Sequence, residues 1–402
     1  MHGTFLRHSK SLLISTSFAF LLTLTLAACG GSSNSAGGTT PTPQATTASG
    51  SSGGSSTATV SPGIGLGPRP CPDAVKAPGH WDAIIPTQSG VTKVENVTCG
   101  NLVGNPTLQA VVTVRYQGTG QILDVYVYSD VTSPRQLFKL QNLYKGNAKI
   151  SGYNTVLTAE VDQNSSINTG KDNASYTQDL FREFKWSDGA GTLVPVSFPG
   201  IYPDLTRYQA KNDQGQVNQG QDAWKLNAAQ VANHMAADPH LLNWPSNAST
   251  TVVSGGGSSD SDAVVTVKNP APVGNRINVS LQRLEGNTNG GIWEVVAVTS
   301  DRMSITSPQS RDILTSPVKV IGTGNAFEGV IGTLTILDHL YTDIGHANVK
   351  GATGNGKTTF STSVTYNSTF KGGSQEGIVV LYTENNAGSS LAAAVMVKEL
   401  LS

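Results

Sequence analysis

Alternating apolar and polar residues recur along most of this chain, and this pattern limits its fold more than any other feature. Residues 108–116 and 122–128 are two such runs, and the glycines at 118 and 120 between them predict a β-hairpin. The 44 glycines and the abundance of Ser, Thr, Val and Asn favour β-rich domains over long helical bundles. A chain of 402 residues is long enough for about two or three such domains.

The charge composition does not indicate a highly charged partner. The formal net charge is −1 and only 13% of the residues are charged, so there is no basic excess of the kind that favours nucleic-acid binding. The sequence also has no acidic tail. We therefore expect no nucleic-acid partner.

The first 28 residues have the order of a secretory signal peptide. Arg7, His8 and Lys10 form a short cationic start, and residues 12–26 are an apolar stretch interrupted by Ser and Thr. Small residues then lead to Cys29, as they do before a signal-peptide cleavage site. Residues 1–28 are therefore predicted to be removed as the chain is exported.

The sequence around Cys29 resembles the lipobox of bacterial lipoproteins. The resemblance implies cleavage before Cys29, a diacylglycerol group on its sulfur and acylation of the new amino terminus. The protein would then lie outside the cytoplasm, held at a membrane by its acyl chains. One alternative is an uncleaved anchor helix, for which the apolar run is short against the ~20 residues of a membrane span. The other is a plain secretory signal that is cut after Ala28.

Residues 29–70 are predicted to be a disordered tether. The segment consists mostly of Gly, Ser, Thr, Ala and Pro, and it has no aromatic residue. Such a composition cannot bury enough apolar surface to offset the entropy that is lost on ordering. A flexible coil of this length would reach about 35 Å, which is enough to hold folded domains away from the lipid headgroups.

Three cysteines are present, and the predicted lipidation of Cys29 accounts for one of them. The remaining two, Cys71 and Cys99, are predicted to form a disulfide because an exported protein folds in an oxidising compartment. On the chain-entropy model, closing this loop would stabilise the fold by roughly 3–4 kcal/mol. Two free thiols in separate cores are the alternative.

Residues 71–200 are predicted to be a small α+β domain. Ser133 and Pro134 have the residue types of a helix start, and three leucines that follow would share one helical face. They are Leu137, Leu140 and Leu143. Further strands are predicted at residues 155–161 and 181–186. The tyrosines and Trp186 are interpreted as core and strand-face residues rather than as a ligand-binding surface.

Residues 204–306 are predicted to be a second small α+β domain. A polar helix begins at Asp204 or Thr206, and a second helix is capped by Asn227 and ends before Pro239. Strand candidates follow at residues 249–253, 263–268, 276–283 and 292–298. Two helices followed by a curling antiparallel sheet are similar to the cone-shaped nuclear-transport-factor-2 type, a fold that hosts both enzymes and binding modules.

Residues 310–402 have the most regular strand pattern of the chain. The runs alternate Val, Ile, Leu, Phe and Thr with polar residues, and turn residues separate them, which is typical of a β-sandwich. The predicted strands are residues 318–322, 327–336, 358–366, 377–383 and 392–399. The predicted fold class is therefore a multidomain, β-rich protein with two small α+β domains before a C-terminal sandwich.

The start of this last region carries a family resemblance. Residues 316–328 read SPVKVIGTGNAFE, which resembles the opening of the Gmad2 domain of bacterial spore-germination and sporulation proteins. A Gly-rich turn before an aromatic-containing strand at residues 354–360 and a strand ending in Glu384 also follow the family pattern, whereas residues 385–389 replace its usual acidic turn. The resemblance covers residues 310–402. It implies an immunoglobulin-like, extracytoplasmic adhesion or interaction module with no known catalytic residues.

Gly351, Gly356, Lys357 and Thr358 fit the nucleotide-binding expression G-x-x-x-x-G-K-[ST]. That motif cradles phosphates because a helix N-terminus follows the loop. Residues 359–366 instead alternate as a strand does. We therefore predict no nucleotide binding and interpret the glycines as turn residues.

The histidines and acidic loops do not predict a metal site. His234 and His240 flank a helix end at a spacing that does not place two ligands on one helical face. Asp260 and Asp262 lie in a Gly/Ser-rich loop and are interpreted as solubilising charges rather than as calcium ligands.

Another group of titratable residues occupies residues 338–346. Asp338, His339, Asp343 and His346 could hold a divalent ion weakly if one loop brought them together. We interpret the segment instead as a solvated loop.

No motif predicts catalysis, and we predict no cofactor, metal ligand or catalytic residue. The sequence has neither a G-x-S-x-G nucleophile elbow nor an H-E-x-x-H zinc motif. The leading hypothesis is a membrane-anchored lipoprotein that binds an envelope protein or a cell-wall polymer, with a link to germination implied by the family resemblance. The alternative hypothesis is an envelope hydrolase or a small-ligand carrier with its pocket at residues 204–302.

Overall fold

Antiparallel strand pairing dominates the structure, a computed structural model that describes residues 65–118, 120–270, 275–286, 290–351, 356–384 and 391–402. The described residues belong to the compact unit Val60–Ser402, and their strands form four sheets. The leader and most of the predicted tether lie outside the described residues.

The first sheet has five strands, and two short helices pack on one of its faces. The strands, in spatial order, are β1 (Pro68–Arg69), β2 (Thr92–Gly100), β3 (Gln109–Tyr116), β4 (Leu123–Tyr128) and β5 (Gln136–Leu143), and the helices are α1 (Asp73–Lys76) and α2 (Pro78–Asp82). Trp81 of α2 is fully buried with Val112 and Tyr126. The predicted hairpin is confirmed, since β3 pairs with β4. Arg69 lies in the predicted tether but pairs with Cys99, so the end of that segment is structured.

The predicted helix after Ser133 and Pro134 is wrong, because these residues lead into β5. The register of β4 and β5 shifts twice, so that Leu123 lies opposite Leu143 while Val125 lies opposite Leu140. Each shift adds a residue to β5, which changes its apolar spacing from two to three. The leucine spacing therefore imitates a helical period within a bulged strand.

A second sheet of four strands follows in the order of the sequence. It contains β6 (Asn147–Ile150), β7 (Val156–Glu160), β8 (Leu180–Ser187) and β9 (Thr192–Val196). Val156 and Phe184 lie opposite each other and belong to a core that also includes Leu123 and Leu143 of the first sheet. The strands predicted at 155–161 and 181–186 are confirmed.

The middle region contains both predicted helices and all four predicted strands. Helix α3 (Arg207–Asn218) begins at Thr206, whose hydroxyl accepts a hydrogen bond from the backbone of Gln209, and α4 (Ala228–Ala237) is capped by Asn227. Such side-chain caps satisfy the free N–H groups of a first helical turn. The strands are β10 (Ser249–Gly255), β11 (Asp262–Lys268), β12 (Arg276–Gln282) and β13 (Glu294–Thr299).

The remaining strands form a sandwich at the C-terminal end. They are β14 (Met303–Ser307), β15 (Ile313–Leu314), β16 (Val318–Ala326), β17 (Val330–Leu337), β18 (Asp343–Lys350), β19 (Gly356–Val364), β20 (Gln375–Glu384) and β21 (Leu391–Leu401). One layer has the order β14-β16-β19, and the other contains β21-β20-β17-β18. Phe360 of the first layer is buried in the same core as Leu334 of the second. The predicted β-rich class with a C-terminal immunoglobulin-like sandwich is confirmed.

The middle region and the sandwich share one sheet. Strand β13 pairs with β21 through Val298 and Met396, so the order runs β10-β11-β12-β13-β21-β20-β17-β18. A single core cluster extends from Ile201 to Leu401. The predicted domain boundaries stay predictions, and strand pairing crosses the one placed near residue 310.

Candidate binding cleft

The predicted disulfide joins the start of the folded region to β2. Cys71 and Cys99 are bonded, with their Cα atoms 5.2 Å apart, and both are buried. Cys29, the predicted lipidation site, lies outside the described residues, and its modification stays a prediction. Within the described ranges, no helix is both long enough and apolar enough to cross a membrane.

Residues 338–346 are not the solvated loop that we predicted. Asp338 and His339 are 1% and 4% exposed, and the ring of His339 lies between Gln375 and Asp179, with its Nε2 3.4 Å from the Asp179 carboxylate. Burial alone lowers the pKa of His339, but the hydrogen bond with Asp179 and the nearby carboxylate charges outweigh burial and raise it. His339 therefore fastens the sandwich to the N-terminal region.

The other predicted histidines and acidic residues lie apart. His234 stacks on Trp224 with ring centroids 4.2 Å apart, and the backbone N–H of His240 donates to Asp238. His346 is exposed and lies 2.9 Å from Asp343 on β18. Asp260 accepts a hydrogen bond from the Gly257 backbone at an exposed hairpin turn, and Asp262 accepts from the Ser261 hydroxyl and, across the strands, from the Gln282 amide. In the part of the chain that the structure describes, no three His, Cys, Asp or Glu residues meet as a metal site would require.

The segment that fits the nucleotide-binding expression belongs to the sandwich. Lys357 and Thr358 lie at the start of β19, which confirms the predicted strand where the motif requires a helix. Gly356 has a φ of 127°, a conformation that favours glycine. Residues 352–355 lie outside the described residues.

Two carboxyl groups are buried together beneath the middle sheet. Asp204 is 5% exposed, Glu294 is fully buried, and the backbone N–H of Asp204 donates to the Glu294 carboxylate at 3.3 Å. Burial and the nearby charge of Asp213 raise the pKa of Asp204 to about 8, although Lys225 opposes the shift. Burial and Asp204 likewise raise the pKa of Glu294. Both carboxyl groups are thus held away from solvent in the core.

A buried ion pair joins three regions of the chain. Lys398 of β21 is fully buried, donates to the Leu205 carbonyl at 2.7 Å and lies 3.4 Å from Glu376. Glu376 also accepts hydrogen bonds from the Ser197 hydroxyl and the Phe198 backbone. Burial lowers the pKa of Lys398 to about 8 against the opposing effect of Glu376. The pair holds the sandwich against the segment that links the first two regions.

A polar cleft opens where the middle sheet meets the sandwich. Its volume is about 400 Å³, within the range of about 300–1,000 Å³ that is usual for small-molecule sites. The lining comes from the β11–β12 hairpin, the β13–β14 turn and the start of β21. The lining residues are Lys268, Asn275, Arg276, Ser300, Asp301, Arg302 and Ala393.

Strand register places two cations of the cleft opposite each other. Lys268 ends β11 and Arg276 begins β12, and the two are direct partners in the antiparallel pair. Directly opposed side chains have Cβ atoms about 4.5–5.5 Å apart, and like charges at that distance destabilise a sheet. The two cations therefore repel each other across the hairpin unless an anion lies near them.

One carboxylate offsets part of this charge. The Asp301 carboxylate accepts hydrogen bonds from Nε and Nη2 of Arg276 at 3.1 and 3.0 Å. Both side chains are more than half exposed, so the pair contributes only about 0–1 kcal/mol. Among the described residues, neither Lys268 nor Arg302 has an ion-pair partner. The cleft thus offers unpaired cations to a phosphate or carboxylate group, which guanidinium ions bind in a bidentate manner.

Lys268, Arg276 and Arg302 belong to no motif in the sequence and are not among the predicted site residues. Two of them could be found from the sequence, because Lys268 and Arg276 stand on either side of residues 269–275, the loop of a predicted hairpin. Residues that flank a hairpin loop lie opposite each other across the strands. Arg302 has no comparable signal, because the β13–β14 turn that carries it reaches the cleft through the pairing of β12 with β13.

Comparison with protein families identifies the C-terminal part of the chain. Residues 302–390 match the family model of Gmad2, described as an immunoglobulin-like domain of bacterial spore germination. The match begins at Arg302 of the cleft and covers the sandwich from β14 to the end of β20. The comparison with curated proteins finds no match to this chain. The sandwich, its strand pattern and the family match agree, and residues 302–390 are a Gmad2 domain.

Proposed function

We propose that the protein is an extracytoplasmic lipoprotein, anchored at Cys29, that acts as a binding module of the cell envelope. The leader with its lipobox resemblance supports the anchor, and the Gly/Ser/Thr-rich segment after it would serve as the tether. The Gmad2 domain supports an interaction role linked to spore germination.

The opposed cations of the cleft carry the proposal of binding. Lys268 and Arg276 repel each other across β11 and β12, and Arg302 adds a third positive charge to the same cavity. An anionic ligand would offset this repulsion, so that binding would stabilise the cleft. The cleft is thus the recognition site, and its ligand carries a phosphate or a carboxylate.

A small-ligand carrier is the second candidate function, because the same cleft has the volume of a small-molecule site. A hydrolase finds less support here. Asp301 is the one carboxylate among the described lining residues, and it pairs with Arg276. A site for acid–base catalysis would place a titratable group free to contact the ligand.

A thermal-shift titration tests the binding role. Wild-type protein and the double variant Lys268→Gln/Arg302→Gln would be titrated with inorganic phosphate, glycerol 3-phosphate and a muramyl peptide. These two cations are chosen because neither leaves an unpaired carboxylate when it is removed. Lys185→Gln, an exposed cation on β8, is the matched control.

We expect at least one anion to raise the melting temperature of the wild type and of the control by mass action, and the double variant to respond much less. Equal responses of all three proteins would exclude the cleft as the site. A deletion from Ile313 is a poorer test, because it removes β21 and thereby the sheet neighbour of β13.

The anchor needs a separate test. Cells grown with labelled palmitate should yield labelled wild-type protein in the membrane fraction, and a Cys29→Ala variant should carry no label. Labelling that survives the substitution would contradict the proposed lipidation at Cys29.

A further inference from the structure

One face of the three-stranded layer of the Gmad2 domain is open and is formed mainly by hydroxyl groups. We call it the hydroxyl face. Its outward residues are Ser304 and Thr306 on β14, Lys319, Ile321, Thr323 and Asn325 on β16, and Lys357, Thr359, Ser361 and Ser363 on β19.

Strand register shows that these side chains share one face. On β16, buried and outward positions alternate from Val318 to Ala326. The outward residues Lys319, Ile321, Thr323 and Asn325 lie directly opposite Ser363, Ser361, Thr359 and Lys357 of β19. On the other side, the Ser304 and Thr323 hydroxyls lie 2.9 Å apart. Direct partners of an antiparallel pair point to the same side of the sheet.

Much of the hydrogen-bonding capacity of this face is unused. Within the described chain, the hydroxyls of Thr359, Ser361 and Ser363 make no side-chain hydrogen bond. They follow one another along β19 at every second residue, which spaces them by about 7 Å. Such a row can donate to or accept from a repeating polar ligand.

The charge of the face has one sign. Lys319 and Lys357 stand near its two ends, about 20 Å apart along the strands, and neither has an ion-pair partner in the described part of the chain. None of the outward positions holds Asp or Glu. The face is therefore complementary to an extended anion rather than to a single charged group.

The hydroxyl face and the cleft are neighbours at the start of β14. The backbone carbonyl of Arg302 accepts a hydrogen bond from the backbone of Asn325 at 3.0 Å, and Asn325 lies opposite Lys357. Because Arg302 also lines the cleft, the two sites adjoin. An extended ligand that follows the face from Lys319 to Lys357 would therefore end near Arg302.

We propose that the hydroxyl face docks a linear polyol phosphate, the chemistry of a wall polymer with repeating phosphodiesters and free hydroxyls. The proposal rests on the proposed envelope function and names its ligand class. None of the ten residues of the face is aromatic, and one exposed ring, Phe327, lies just beyond the end of β16. A single ring offers no row of stacking positions for successive sugars or nucleic-acid bases. Ile321 is the only large apolar residue among those ten, and Phe327 and Val330 are exposed together beyond the end of β16. The vesicles in the test below therefore measure any contact of this end with lipid.

The test measures binding of soluble poly(glycerol phosphate) to residues 30–402, which keep the whole compact unit Val60–Ser402 and carry no acyl chain. The variants are Lys319→Gln/Lys357→Gln, which removes the charge of the face, and Ser361→Glu, which places a carboxylate at its centre. Lys185→Gln is again the matched control. Neutral dextran, duplex DNA and vesicles of phosphatidylcholine with phosphatidylglycerol are the competing ligands.

We expect the polymer to bind the wild type and the control equally, and the face variants to lose about tenfold or more in affinity. The slope of log affinity against log salt should also become shallower by about 1.4 in the double lysine variant, as expected for two lost phosphate contacts. A merely structural role of these lysines would not change that slope.

Equal polymer affinities for the wild type and both face variants would overturn the proposal. A stronger lysine-dependent binding to the vesicles or to DNA would also overturn it, in favour of a membrane or nucleic-acid surface. If small anions bind the cleft but the polymer binds the wild type and the face variants equally, only this inference fails. If no anion binds at all, the proposed function fails with it.

Discussion

Lys268 and Arg276 lie directly opposite each other across the β11–β12 hairpin, at the rim of the cleft. A pair of like charges in this position is unfavourable without a ligand. The pairing therefore links the stability of the free protein to its capacity for binding an anion.

Replacing Lys268 by glutamine should stabilise the free protein and weaken anion binding. Relief of the repulsion should add about 0.2–1 kcal/mol to the free energy of unfolding, measured by urea denaturation in low salt. The gain should shrink in high salt, because exposed charges are screened. A loss of stability in low salt would contradict this account of the pair.

The stability of the fold should decrease as the pH rises from about 5 to 8. Burial raises the pKa of Asp204 to about 8 and that of Glu399 to about 9, whereas unfolded carboxyl groups have pKa values of about 4. The folded state thus binds more protons in this window, so raising the pH favours the unfolded state.

Asp204→Asn supplies the control for this pH dependence. The amide cannot ionise, so the variant should lose less stability between pH 5 and 8 than the wild type does. Lys398 does not affect the comparison, because its pKa of about 8 in the folded state changes the stability only as the pH rises above this window. Stability that rose with pH in the wild type would show that the buried carboxyls are ionised in the folded state.

Breaking the Cys71–Cys99 bond should destabilise the N-terminal region. The cross-link closes a separation of 28 residues, and its loss should cost about 3–4 kcal/mol. Denaturation of the Cys71→Ser/Cys99→Ser variant, compared with the wild type with and without reductant, measures the effect. If reductant destabilised the variant as much as the wild type, the bond would not be the cause.

Removing only the buried ammonium of Lys398 should lower the free energy of unfolding more than removing both charges of the Lys398–Glu376 pair. Lys398→Met leaves Glu376 buried without its cation and should destabilise by about 3–5 kcal/mol. In Lys398→Met/Glu376→Gln, the neutral amide can still accept from Ser197 or Phe198, so we expect much of that loss to be recovered. A double variant less stable than the single one would contradict this account.

Local patterns predicted the elements well where the strands are regular. The caps at Thr206 and Asn227 depend on neighbouring residues alone, and the alternation from Val318 to Ala326 reports one buried face. The leucine spacing predicts a helix where β5 lies, because the bulges of β5 arise from its pairing with β4 and leave no separate mark in the sequence.

The contacts between regions could not be predicted from local sequence patterns. His339 is buried by Asp179 of the N-terminal region, which lies 160 positions away in sequence. The cleft likewise needs β21 to pair with β13, and that pairing brings Ala393 to residues near 300. Such long-range pairings depend on the whole fold.

The most direct test of the cleft is a nuclear magnetic resonance titration of the arginine Nε–H signals with glycerol 3-phosphate. We predict that the signals of Arg276 and Arg302 shift together and saturate at one ligand concentration, and that Arg135, an exposed arginine of the first sheet region, does not move. Unchanged Arg276 and Arg302 signals at saturating ligand, or equal shifts at Arg135, would contradict the claim that this cleft recognises anions.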